Sequence, residues 1–190
     1  NDNKYIVDVA STVADAPVTV LRNAETGEVV MDLEKADISE IVANGWKAPE
    51  VFVAKGRDGE TDMWGIIIRP TNFDPSKKYP ILEYIYSGPG DHYVPKSFFS
   101  FNRYMSAIAE LGFIVVQVDC MGTSYRSKEF EEVCYKNLKD AGIPDRKLWI
   151  KAAAKKYPYM DIDRVGIFGC SAGGQESTTA VLFHPEFYKC

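Results

Sequence analysis

Histidine is nearly absent from this sequence, and long apolar runs and an excess of basic residues are missing altogether. The two histidines leave little material for a histidine-rich metal site. No apolar stretch approaches the roughly 18 residues that a membrane-spanning helix needs. The longest apolar stretches, such as residues 113–118, have only the length of a strand. Lysine and arginine number 22 against 27 aspartate and glutamate, whereas nucleic-acid binders normally carry a basic face. The sequence therefore predicts neither a membrane span nor a nucleic-acid partner.

Cysteine is sparse as well, with Cys120, Cys134, Cys170 and Cys190 as its four occurrences. None of them forms a Cys-x-x-Cys pair, and their spacings fit no common zinc template. Four cysteines in a chain of this length are also too few for a disulfide-based scaffold. We therefore expect buried or incidental thiols and no metal site.

The composition is that of a globular protein, with 46% apolar and 26% charged residues. A chain of 190 residues can bury one sizeable core but is short for two well-built domains. The sequence starts with Asn1 rather than methionine and reaches Cys190 without a terminating signal. We therefore expect an internal piece of a longer protein.

Residues 1–48 are predicted to form a β-rich segment. Strands are expected at 4–10, 18–22 and 29–33, the last two joined by a turn. A short helix should follow, with Asp37 as its N-cap, Glu40 in capping-box position and Asn44-Gly45 at its end. Because a single hairpin is marginal by itself, we expect this segment to belong to a larger β-structure.

From residue 49 onwards, predicted strands alternate with predicted helices. The strands are expected at 51–54, 63–69, 80–86, 113–119 and 164–169, and the helices at 102–111, 147–156 and 173–183. Strands that alternate with helices of about ten residues imply a parallel sheet with crossover helices. The sequence therefore predicts an α/β domain over residues 49–190.

Gly169, Ser171 and Gly173 form a Gly-x-Ser-x-Gly motif where the last predicted strand meets the last predicted helix. This is the setting of a nucleophile elbow, a turn so tight that the neighbours of the serine must be nearly free of side chains. The turn would lift the Ser171 hydroxyl above the sheet, where a base can reach it. A phosphate-binding loop would need lysine and a hydroxyl residue where Gln175 and Glu176 stand. The motif therefore favours a nucleophilic serine over a structural glycine turn.

The order of motifs around Ser171 resembles the prolyl oligopeptidase family of serine peptidases, and its dipeptidyl peptidase IV branch best. The resemblance covers about residues 49–190 and rests on 63–70 (MWGIIIRP), 73–80 (FDPSKKYP), 86–89 (YSGP), 119–124 (DCMGTS) and 161–169. It implies an α/β-hydrolase fold that is incomplete at its C-terminus. Since members of the family carry an N-terminal β-propeller, residues 1–48 would be the end of that propeller and a linker.

The resemblance also implies roles for three residues. Ser171 would be the acylated nucleophile, and the Tyr86 hydroxyl and the Ala172 backbone N–H would hold the oxyanion. No metal or organic cofactor would be needed, and the substrates would be short peptides cleaved near their N-termini. The family further suggests a homodimer of the full-length protein and a periplasmic or exported location.

Three positions near the site depart from the family or adjoin its motif. Met121 stands where the family usually has the arginine of Asp-x-Arg-Gly, and whether Arg126 takes over is open. Ala172 replaces a tyrosine that often follows the nucleophile. Cys170 is at a position that normally packs beneath the nucleophile, and we expect it to do so here.

A general base for Ser171 is missing from the sequence. In this fold the acid and then the histidine follow the serine, but His184 lies at the far end of the predicted helix, roughly 20 Å from Ser171. His92 is close to Tyr86 in sequence and is expected to be structural or to contact substrate. We therefore expect the acid and base beyond Cys190, and this chain alone to be inactive. Another acyl hydrolase, such as an acylaminoacyl peptidase or an esterase, and a non-catalytic peptide-binding homologue remain as alternatives.

Overall fold

The computed structural model of the protein describes residues 3–99 and 104–190. Its chain divides into two compact units, the first comprising residues 1–48 and 95–101 and the second 49–94 and 102–190. The start of the helix predicted at 102–111 lies outside the described residues. Within the described ranges, no helix combines the length and the apolar character needed to cross a lipid bilayer.

The first unit is built on a three-stranded antiparallel sheet in the order β1-β2-β3. Its strands are β1 (Tyr5–Ala10), β2 (Val18–Asn23) and β3 (Val29–Lys35). The β2–β3 turn needs Gly27, whose φ is 75°, and the Asn23 side chain accepts the N–H groups of Glu25 and Thr26. Residues 95–99 join this unit through Phe98, whose ring packs on Trp46 and whose N–H donates to Ser11 Oγ.

The short helix α1 (Ser39–Ala43) begins later than the sequence predicted. Its N-cap is Ile38, and no side chain caps it. The expected capping box of Asp37 and Glu40 was wrong, because the Asp37 carboxylate accepts the N–H of Ser39, two residues on, at 2.8 Å. Aspartate commonly makes this local turn in competition with a helix cap.

The second unit has a five-stranded sheet in the order β4-β5-β7-β6-β8. The strands are β4 (Glu50–Lys55), β5 (Asp62–Ile68), β6 (Tyr79–Ile85), β7 (Ile114–Asp119) and β8 (Met160–Gly169). β7, β6 and β8 are parallel, whereas β4 pairs antiparallel with β5 and β5 antiparallel with β7. The α/β class is confirmed, but the sheet is mixed rather than parallel because the β4–β5 hairpin attaches to its edge.

The helices that accompany this sheet in the described part of the unit are α2 (Met105–Ala109), α3 (Lys128–Glu132), α4 (Ile143–Lys156) and α5 (Ala172–Phe183). α4 begins at Ile143 rather than at residue 147, because proline is compatible with the first turn of a helix and Pro144 occupies it. Trp149 and Ile150 of α4 are fully buried, and the Trp149 indole donates to the Phe52 carbonyl at 3.2 Å. α4 therefore lies with one face on the sheet.

A charged pair is buried beside this core. Arg146 of α4 donates to Glu83 of β6, an interior strand of the sheet, with a nitrogen–oxygen distance of 2.6 Å, and both side chains are 0% exposed. The Tyr188 hydroxyl donates to the other oxygen of Glu83 at 2.8 Å. Buried charges are found where they are paired in this way.

The sheet topology brings three chain segments to one edge. β6, β7 and β8 run parallel, so Tyr86, Cys120 and Cys170 leave the sheet at the same end. In α/β folds the carboxyl ends of parallel strands are where ligands bind. The predicted site residues follow two of these strands.

Candidate active site

Ser171 has a strained backbone in the turn between β8 and α5. Its φ is 56° and its ψ is −120°, in a left-handed region that residues with a Cβ rarely adopt. Its side chain is exposed and makes no cap hydrogen bond to the helix that follows. Strain of this kind persists only when the surrounding structure imposes it, and it is concentrated at functional sites.

Two glycines explain how the surrounding structure imposes the turn. A Cβ on Gly173 would overlap the carbonyl oxygen of Ile85 and lie 3.5 Å from the Cα of Tyr86. A Cβ on Gly169 would lie 2.5 Å from that same oxygen and from the carbonyl carbon of Gly173. The first turn of α5 therefore sits directly against the end of β6, which only glycine at these positions permits.

Tyr86 and Ala172 are brought together by this close approach. Tyr86 follows Ile85, the last residue of β6 and the register partner of Gly169. Ala172 is the first residue of α5, so its N–H has no acceptor within the helix. Tyr86, Ala172 and the neighbouring Tyr93 line one cavity of about 200 Å³.

The loop that carries Tyr86 is fastened to the last residue of β7, Asp119, and to Ser124 in the segment that follows. The buried carboxylate of Asp119 accepts the N–H of Tyr93 at 2.8 Å and that of Val94 at 3.1 Å. The N–H of Gly90 donates to Ser124 Oγ at 2.6 Å. The Tyr86 ring also packs on Tyr93, with 4.7 Å between centroids. These contacts hold the loop, and with it Tyr86, in one position.

Arg126 does not take the place of the arginine that the family usually has at the position of Met121. Met121 is half-buried and packs on the main hydrophobic core. The Arg126 guanidinium instead donates to the backbone carbonyl of Asp62 and lies 4.5 Å from the ring centroid of Phe130. The side chain at the family's arginine position is therefore apolar, and Arg126 does not compensate for it.

The expectation for Cys170 was wrong. Cys170 is exposed rather than packed beneath Ser171, and Cys190 is exposed too, whereas Cys120 and Cys134 are buried as expected. β8 has β6 on one side only, and residues 188–190 pair with it only as far as Ile167. The end of β8 therefore has no neighbour to cover the Cys170 thiol among the described residues.

Neither histidine is positioned as a general base for Ser171. His184 caps the C-terminal end of α5, where its Nε2 lies 3.0 Å from Asp140 and its Nδ1 3.3 Å from the Lys147 ammonium. Twelve helical residues separate it from Ser171, a span of roughly 18 Å. The His92 ring packs on Tyr125 and its Nδ1 lies 3.3 Å from Asp91. Both side chains are therefore held in local contacts of their own.

Sequence reasoning missed two buried polar residues at the cavity, Glu176 and Ser87. Glu176 is 6% exposed and Ser87 is 4% exposed. Burial raises the pKa of Glu176, while the charge of Arg146 and the polar groups of Ser87 act in the opposite direction. One signal was present in the sequence: Glu176 comes three residues after Gly173, on the helix face that Thr179 and Ala180 also bury.

The strained serine between a parallel strand and its helix, at the carboxyl edge of a mixed sheet, defines a protein of the α/β-hydrolase class. The sequence profile of the prolyl oligopeptidase family matches residues 99–190, which include this turn. The chain belongs to the prolyl oligopeptidase family.

Several relatives are dipeptidyl peptidases. Human dipeptidyl peptidase 8 is 31% identical over 142 residues, which are 74% of this chain and 16% of the human protein. A candidate dipeptidyl aminopeptidase IV from Bacteroides ovatus superimposes with a TM-score of 0.84 at 30% identity, over 97% of this chain and 26% of that one. Porphyromonas gingivalis dipeptidyl peptidase 4 gives a TM-score of 0.77 at 26% identity, over 94% and 25%. The chain thus spans about a quarter or less of the length of these relatives.

Proposed function

We propose that this chain is the nucleophile-bearing part of a serine peptidase, in which Ser171 is acylated by the substrate. The observation that carries the proposal is the φ of 56° at Ser171, in a turn that two glycines press against the end of β6. Such a turn holds the hydroxyl out of the helix and towards the carboxyl edge of the sheet. A structural turn would gain nothing from a non-glycine residue in this conformation.

Two donors would stabilise the oxyanion that forms when Ser171 attacks. The first N–H of α5, on Ala172, is free of helical acceptors and adjoins the nucleophile. The Tyr86 hydroxyl would be the second donor, and it supplies a hydrogen bond without carrying a charge. A single donor of this kind is worth about 2.7–4 kcal/mol in the transition state.

The general base and its acid would come from sequence outside this chain. Ser171 needs an imidazole within hydrogen-bond reach, and His92 and His184 are each engaged elsewhere. We therefore assign residues 49–190 to the N-terminal part of a hydrolase domain and residues 1–48 to the end of a β-propeller with its linker. The isolated chain would then show no turnover.

Peptides are the proposed substrates, with cleavage near the N-terminus, and the full-length protein would be a homodimer. The support is the dipeptidyl peptidase character of the relatives. The turn and the two oxyanion donors serve any acyl transfer, so an ester-specific hydrolase would use them equally well. Turnover of dipeptide amides, but not of simple esters, would distinguish the peptidase from an esterase.

Fluorophosphonate labelling tests the proposal directly. The full-length protein that contains this chain is labelled, the modified peptide is mapped by mass, and the 190-residue chain is treated in parallel. We expect an adduct on Ser171 in the full-length protein, none in Ser171→Ala, and none in the chain alone. A folded full-length protein without an adduct would instead indicate a non-catalytic binding protein, and turnover by the chain alone would refute the missing-base argument.

A further inference from the structure

The cavity beside Tyr86 is too large to serve only as a water site. Its volume of about 200 Å³ exceeds by more than tenfold the roughly 15 Å³ that one water molecule needs on the same measure. Its walls include the rings of Tyr86 and Tyr93 and the side chain of Leu138. An aromatic and aliphatic wall of this size suits the stem of a side chain or a short piece of peptide.

Two buried polar atoms at this cavity lack a hydrogen-bond partner. They are Oε2 of Glu176 and Oγ of Ser87, which make no hydrogen bond of good geometry within residues 3–99 and 104–190, although Ser87 lies close enough to Glu176 to lower its pKa. Buried polar atoms are almost always hydrogen-bonded, so each exception needs an explanation. A ligand N–H group that enters the cavity would supply the partner that Glu176 lacks.

The charges around the cavity favour a cation. Arg146 is the cation that acts on Glu176, but it is already bound to Glu83. The charges of Asp91 and Asp119, like that of Glu176, act on the hydroxyl of Tyr93, which lines the cavity. Glu176 is therefore a carboxyl group in the cavity wall that shares the charge of Arg146 with Glu83.

We propose that this cavity binds a cationic group of the peptide substrate, an ammonium or a guanidinium, and that Glu176 is its counter-ion. Glu176 would thus determine specificity beside the oxyanion donors Tyr86 and Ala172. The Tyr86 and Tyr93 rings would flank the bound cation, an arrangement that attracts ammonium and guanidinium groups. The inference rests on the proposed function, since it assumes that a peptide occupies this edge of the sheet.

The cation has two possible sources in a peptide, the N-terminal amine and a basic side chain. A panel of short peptides separates them. One series compares a free with an acetylated N-terminus, and a second compares lysine with norleucine and arginine with citrulline at each position. Norleucine keeps the four-carbon stem of lysine without its ammonium group, and citrulline keeps the shape of arginine without its charge. The series in which loss of charge weakens binding identifies the source.

Binding is measured by calorimetry on the full-length protein carrying Ser171→Ala, so that the readout needs no turnover. At one position, we expect the peptide with a cationic group to bind roughly ten- to a hundredfold more tightly than the peptide with its neutral counterpart. Adding Glu176→Gln should abolish this difference, whereas Glu25→Gln, in an exposed turn of the first unit, should preserve it. Equal binding of charged and neutral peptides, or a preference that survives Glu176→Gln, would overturn the proposal.

Two further measurements keep the test decisive. If Glu176→Gln does not fold, Glu176→Asp is used, which keeps the charge but shortens the side chain by one methylene. The preference for the cationic peptide over the neutral one should then shrink rather than vanish. An unchanged preference in Glu176→Asp would count against the proposal. Fluorophosphonate labelling of Ser171 is scored separately, so a failure of the proposed function is distinguishable from a failure of the cation site.

Discussion

Gly173 meets the carbonyl oxygen of Ile85 with no space for a side chain, since a Cβ on Gly173 would overlap that oxygen. This contact joins the first turn of α5 to the end of β6. It therefore sets both the strained turn at Ser171 and the position of Tyr86, the residue after Ile85. One backbone contact links the proposed nucleophile to the proposed oxyanion donor.

Replacing Gly173 with alanine should disrupt this link. Overpacking of a tight contact costs about 1–3 kcal/mol, so the urea midpoint of unfolding should fall and fluorophosphonate labelling of Ser171 should slow sharply. The matched control is Gly174→Ala, because a Cβ there would lie 3.4 Å from the Gly169 carbonyl oxygen, an ordinary contact. Gly174→Ala should be neutral or stabilise by up to about 1 kcal/mol. Equal effects of the two substitutions would contradict the packing argument.

Tyr86→Phe removes the hydroxyl and keeps the ring, so it tests the role of the hydroxyl by itself. The ring contact with Tyr93 remains possible, so the free energy of unfolding should be nearly unchanged. Loss of one oxyanion donor lowers kcat by roughly 10²–10³, and KM should change little because the donor acts in the transition state.

The control for this variant is Tyr93→Phe. Tyr93 lines the same cavity and packs on Tyr86, but its backbone rather than its hydroxyl is anchored by Asp119. Its kcat should stay within a fewfold of the wild type. A similar fall of kcat in both variants would show that the Tyr86 hydroxyl has no special role.

The turn at Ser171 was predictable because its determinants are local. Gly169, Ser171 and Gly173 lie within five residues, and the alternation of strands and helices before them fixes the fold class. The first turn of α4 was not predicted: Ile143, Asp145 and Arg146 of this turn are buried in the folded unit, and that burial depends on residues far away in sequence.

Features set by distant residues could not be predicted in this way. The grouping of residues 95–99 with the first unit depends on the contacts of Phe98 with Trp46 and Ser11, which are far away in sequence. The pairing of β5 with β7 and the cavity that encloses Glu176 likewise arise from packing between remote segments.

The buried pair of Arg146 and Glu83 should behave as a coupled unit. Removing one partner of a buried ion pair costs about 3–5 kcal/mol because it leaves an uncompensated charge. Arg146→Met should therefore be strongly destabilised in urea unfolding. Glu83→Gln combined with Arg146→Met should be less destabilised than Arg146→Met alone, since glutamine carries no charge and still accepts the Tyr188 hydroxyl. Additive losses in the double variant would show that the two charges act independently.

Glu176 should make the stability of the folded protein depend on pH. Burial is the main cause that raises its pKa above the ordinary value of 4.5, against the opposing effect of Arg146. Glu83 and the Tyr93 hydroxyl are the other titratable groups that interact with it electrostatically. A carboxyl group whose pKa is raised on folding binds its proton more tightly in the folded state. Its contribution to stability is therefore lost as the pH rises from the unfolded pKa through the folded one.

Glu176→Gln removes this titration and should be more stable than the wild type at neutral pH. The stability difference between variant and wild type should be small at pH 4, grow as the pH rises and become constant above the folded pKa of Glu176. Urea unfolding at a series of pH values measures it, and Glu25→Gln, at an exposed position, should follow the wild-type profile throughout. A difference that is independent of pH would mean that Glu176 keeps its ordinary pKa, because only a shifted pKa couples folding to proton binding.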